Sequence, residues 1–195
     1  MGTRHLTVVI KHNKIKLAQY GQWDGYFNGQ GVNFVEFIKD NLTTSYGLDK
    51  FNENIDLLKE IREETLQSYI KQWEELNKNK EFYLPFESTL PQFCRDTGTN
   101  ILKIIQHLDK WEFGKKKYPV YICKDFSWCE YIYCINLDNN EVYMLTNNDF
   151  TGTGQKACPL VDETYKGFKC WYSSKIKDLP SIKTIQKYNK SINLD

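Results

Sequence analysis

Between positions 18 and 38 the chain reads AQYGQWDGYFNGQGVNFVEFI, a stretch whose side chains could do chemistry that an ordinary connector could not. Gln19, Gln22 and Gln30 each carry an amide that both donates and accepts hydrogen bonds. Tyr20, Trp23 and Tyr26 offer flat faces on which a planar ligand such as a nucleobase can stack. Asp24, set between Trp23 and Gly25, is a candidate general base, because a carboxylate against aromatic surface loses hydration and its pKa rises. The competing reading has Asp24 capping a turn or the following helix and Trp23 packed in a core. Arg4 adds a planar cation able to clamp a carboxylate or phosphate, or to pair with Asp24. Glu130, in SWCEYIY, puts a carboxylate into an otherwise apolar strand, where it faces either an internal site or solvent. The candidate ligand-binding set is therefore Arg4, Gln19, Tyr20, Gln22, Trp23, Asp24, Tyr26, Gln30 and Glu130.

Other chemistries find less support. The six cysteines are irregularly spaced without a CxxC pair, and His5, His12 and His107 are scattered, so structural thiols are expected and no metal or cofactor. Cys123, Cys129 and Cys134 are expected to be buried singly in strands. No Ser/His/Asp set carries a motif. FTGTGQK at 150–156 would expose backbone amides but lacks the Gly-Lys-Ser/Thr of a phosphate loop. RDTG at 95–98 precedes a helix, with Asp96 or Thr97 as its expected cap. A net charge of +1 gives no global attraction to nucleic acid, and GKKKYP and the lysines from Lys183 to Lys190 read as solvated surface. No run approaches the roughly 20 apolar residues of a membrane span. MGTRHLTVVIKHNK lacks a small-residue cleavage site, and Leu6 stands where a myristoylation signal wants Ser or Thr. A cytoplasmic protein is expected.

The elements that must position these residues follow from periodicity. Residues 5–20 read as a hairpin turning at KHNK, after which GQWDGYFNGQG leads from a strand end into a helix. A helical block runs over 32–112, with 50–78 as amphipathic helix broken near Arg62. Residues 118–176 supply hairpin-linked strands and 180–190 a C-terminal helix. The length suits one domain over 1–195, of α+β class with antiparallel sheets and segregated helices.

Three segments together, MGTRHLTVVI joined to AQYGQWDGYFNGQG, RDTGTNIL, and WCEYIYCINLDNNEVY, resemble a poorly characterised family spread through bacteria, phages and fungi. Its members begin Met-Gly-Thr-Arg and carry a Gln-Trp-Asp-Gly-Tyr-Pro-Ser-Gly-Gln-Gly-like segment; this chain departs from it at Phe27 and Asn28. The family brings no established reaction. A weaker, architectural resemblance is to N-terminal nucleophile hydrolases, which implies an αββα sandwich with polar residues of the second strand near the chain start. The nucleophile is missing, because Gly2 has no hydroxyl or thiol.

The expectation is a binder of a small polar, nucleotide-like molecule, in a phage setting by sequestering a host signalling nucleotide. A hydrolase using Asp24 or Glu130 on an amide or phosphoester stands as an alternative. A protein acting on a host protein or a second copy of itself, through surface aromatic residues, is the third.

Overall fold

The computed structural model describes residues 2–79, 85–108, 117–124, 128–147 and 167–192. HLTVVIK and KIKLAQYG form the N-terminal hairpin, β1 (His5–Lys11) and β2 (Lys14–Gly21). Its reversal needs left-handed backbone at both turn residues, and His12 and Asn13 adopt it with φ of 56° and 54°. Asp138, on a distant turn, accepts the N–H of His12 at 2.7 Å and of Asn13 at 2.8 Å. The Asn13 bond above all holds its carboxyl below the usual carboxylate range.

Strands β5 (Tyr131–Asn136), β6 (Glu141–Thr146) and β7 (Lys169–Lys175) complete a five-stranded sheet in the order β2-β1-β5-β6-β7. β1 and β5 run parallel, His5 opposite Tyr131 and Ile10 opposite Asn136, while the other neighbours are antiparallel. A second, two-stranded sheet pairs β3 (Leu58–Glu60) with β4 (Tyr118–Val120), again in parallel. The expectation of antiparallel sheets is thus corrected to a mixed sheet. Hairpin signals identify partners adjacent in sequence, whereas β1 meets β5 only after the helical block has returned the chain to its free edge.

Helix α1 (Val32–Asn41) buries Phe34, Val35, Phe37 and Ile38 on one face. In α2 (Ser45–Asp56) the Thr44 side chain accepts the Gly47 N–H and so satisfies one of the first-turn donors. The break expected near Arg62 is present, since Arg62 precedes α3 (Glu63–Asn77), and the interruption also holds β3. Short helices α4 (Phe86–Thr89) and α5 (Ile101–Gln106) follow, and α6 (Ile182–Ser191) starts at a Ser181 cap. Side chains from α1, α2, α5 and α6 pack with Val9, Leu17, Tyr133, Met144 and Trp171 on one face of the sheet. On the other face Leu6, Val8, Ile132, Cys134 and Leu145 pack with Ile122, Cys129 and Phe168. Burial on both faces is why YIYCIN reads as a nearly continuous apolar run.

Among the described residues no helix is long and apolar enough to cross a membrane, and no group of three or more His, Cys, Asp or Glu could hold a metal ion. Cys129 and Cys134 are buried, but Cys123 is only half-buried, which corrects one of the three expected core thiols. It stands past the end of β4 at the sheet edge, where its N–H bonds to Ala18 O at 3.0 Å.

Candidate functional site

The glutamine- and aromatic-rich segment is first of all a set of braces. Beyond β2 the chain folds under the first residues, with Gly25 N–H on Thr3 O at 2.9 Å and the buried Tyr133 hydroxyl on Gly25 O at 2.7 Å. A Cβ on Gly25 would lie 2.9 Å from the Arg4 carbonyl, so this approach requires glycine. The segment then binds residues 94–99 side by side. Gln19 Nε2 donates to Cys94 O at 3.0 Å, Gln22 N–H to Arg95 O at 3.1 Å, and Trp23 Nε1 to Asp96 Oδ1 at 3.0 Å. Gln30 Oε1 accepts from Thr99 twice, from the N–H at 3.0 Å and the hydroxyl at 2.8 Å.

Several expected roles change as a result. Asp24 stands at a φ of 53° and caps no helix; its Oδ1 accepts from the Tyr26 hydroxyl at 3.4 Å. Neither Asp96 nor Thr97 makes a capping bond, because Asp96 serves Trp23 instead. Arg4 does not pair with Asp24; its guanidinium lies 6.0 Å from the centre of the Trp128 ring. Trp23 is 52% exposed and Tyr26 42%, so neither is a core residue. Replacing Gln30 by leucine is expected to cost about 2–3 kcal/mol, since Thr99 would be left with two unpaired donors in a buried position. Urea denaturation should show a lower midpoint with unchanged slope; an unaltered midpoint would mean that this brace contributes nothing.

A cavity of about 310 Å³ opens along the outer edge of β2, beside these braces. Ala18, Gln19 and Tyr20 form its strand wall, and Gln92, Phe93 and Arg95 come from the segment that the braces hold in place. Tyr121, Cys123, Trp128 and Leu66 of α3 complete the lining. The Tyr121 hydroxyl bonds to Glu63 at the start of α3, which holds that carboxyl below its usual range and ties the helix to the rim. Burial pushes the Tyr20 hydroxyl pKa up, and the Arg4 and Arg95 guanidiniums pull it down, so two cations act on this ring.

The strand edge itself is part of the wall. Ala18 O accepts from Cys123, and just past β2 the Gln22 N–H donates to Arg95, so at both positions the backbone is directed away from β1. Tyr20 lies between them, and by strand alternation its N–H also faces away from β1. Its carbonyl receives the Gln19 amide at 3.4 Å.

Of the nine expected residues, Gln19 and Tyr20 line this cavity. Arg4 reaches its rim through Trp128, while Gln22, Trp23, Asp24, Tyr26, Gln30 and Glu130 lie outside the lining. Glu130 flanks β5, where its N–H bonds to Arg4 O at 2.9 Å and its carbonyl accepts from Asn147. The lining residues that sequence reasoning missed include Gln92, Phe93, Arg95, Tyr121 and Trp128. Arg95 and Trp128 do begin two of the segments that mark the family resemblance, which was the available signal; Gln92 and Tyr121 carry none. FTGTGQK lies outside the described residues. Comparison with known proteins finds no matching family model, no matching curated protein and no matching solved structure.

Proposed function

We propose that this protein binds a small, flat, anionic molecule of nucleotide-like chemistry in the cavity at the β2 edge, and holds it without chemical change. The observation that carries this reading is the shared lining of Arg95 with Tyr20, Phe93, Tyr121 and Trp128, a cation beside aromatic faces. Aromatic walls supply stacking surface that every nucleobase can use, and a guanidinium suits a phosphate. The volume of about 310 Å³ falls at the lower end of the roughly 300–1,000 Å³ usual for small-molecule sites. The family resemblance, which takes in phage members, makes sequestration of a host signalling nucleotide the concrete form of the proposal.

Hydrolysis has less behind it. Asp24 and Glu130, the two carboxylates considered for that role, do not line the cavity. Protein binding is favoured by one observation, the exposure of Trp23 and Tyr26.

The test is to incubate the protein with mono-, di- and cyclic nucleotides, denature it by heat and analyse what it releases. Intact ligand is the expected result. Trp128→Ala should weaken binding by about 1–3 kcal/mol through loss of stacking, while Trp23→Ala leaves it unchanged. Retention of no nucleotide by folded protein would reject the reading, and release of a converted product would replace it with hydrolysis.

A further inference from the structure

Gln92 is the polar side chain of the cavity that the braces and motifs do not explain. It is only 4% exposed, yet it belongs to the cavity lining. The Tyr118 hydroxyl donates to its Oε1 at 2.8 Å. Burial holds the Tyr118 hydroxyl well above its usual pKa, so it stays protonated. With Oε1 occupied in this way, Nε2 is the end of the amide left to face the cavity. Among the described residues Nε2 bonds to no group. A buried amide on a cavity wall whose donor has no acceptor among the described residues calls for an acceptor on whatever fills that cavity. Arg95, which lines the same cavity, is suited to the anion.

Resting on the nucleotide-binding reading, we propose that Gln92 is a specificity-determining residue that selects bases presenting a carbonyl oxygen over bases presenting an amino group at the same position. A carbonyl accepts from Nε2. An exocyclic amino group brings a donor against a donor and leaves both unpaired beside a side chain that is itself buried, which is the situation in which polar recognition discriminates strongly.

Two nucleotide pairs isolate this edge: inosine with adenosine monophosphate, and uridine with cytidine monophosphate. Titration calorimetry on the intact protein should give tighter binding of the inosine and uridine members, by about tenfold or more. Gln92→Glu keeps the shape and can still accept from Tyr118, but replaces the donor by an acceptor, and the preference should invert. In the unaltered protein, uridine monophosphate should shift the nitrogen-15 side-chain amide signal of Gln92, a readout independent of how well the variant folds. Equal affinities within each pair would overturn the proposal and leave the binding reading standing. Binding of none of the four would remove both. A preference that survives unchanged in a folded Gln92→Glu variant, or a Gln92 amide signal that does not move, would place the discrimination elsewhere and overturn the proposal.

Discussion

Acidification from pH 7 toward pH 4 should remove about 3 kcal/mol of stability through one side chain, His5. The imidazole is fully buried at the start of β1, with neither nitrogen hydrogen-bonded. Its nearest ring neighbour is Tyr133, with centroids 6.1 Å apart, and burial keeps that hydroxyl protonated and neutral throughout this range. No carboxylate pairs with the ring, so desolvation acts unopposed and lowers the pKa from 6.5 to about 4. Between those two values the unfolded chain binds the proton more readily than the folded one. The contribution is therefore whole above about 6.5, falls as the pH drops, and has been lost in full below about 4. Denaturation profiles across this window should be steeper for the native sequence than for His5→Leu, by about 3 kcal/mol in total. Parallel profiles for the two proteins would show that His5 is not the group responsible.

The same imidazole sets the second large effect. His5 lies opposite Gly21 in the hairpin, and a Cβ on Gly21 would sit 2.0 Å from His5 Cε1 and 2.4 Å from Nε2. Gly21→Ala is expected to cost about 3 kcal/mol, because the ring is enclosed and cannot swing aside without disturbing the core. In a His5→Ala background the space is vacated, and the further cost of Gly21→Ala should fall below about 1 kcal/mol. A thermodynamic cycle over the four proteins measures that coupling. An identical loss in both backgrounds would mean that the methyl group meets something other than the ring.

What could be read from the sequence was what is local. KHNK announces the first hairpin because its turn residues tolerate the required backbone, and VNFVEFIKDN announces α1 by its spacing. The parallel pairing of β1 with β5 has no local mark, since alternation reveals which faces are buried but not which edge meets which. The same limit hid β3: Leu57 and Leu58 continue the apolar rhythm of a helix, and only their encounter with Tyr118–Val120 draws them into a strand. At the site, residues 19–30 advertised a demand for hydrogen bonds but not who would meet it. Thr99 answers Gln30, and the Cys94 carbonyl answers Gln19. Gln92 and Tyr121 acquire meaning only when distant parts of the chain enclose a common space.

The pairing of β1 with β5 also imposes an order in time. Strand β1 lies in the interior of the sheet, and its second edge stays open until Tyr131 to Asn136 have been made. At ordinary synthesis rates that interval is on the order of ten seconds. Throughout it, the nascent hairpin presents an apolar strand with unpaired backbone groups, the kind of edge that recruits strands from other chains. Truncated products ending before β5 would carry that edge permanently, and so should accumulate as aggregates or chaperone clients instead of as folded fragments.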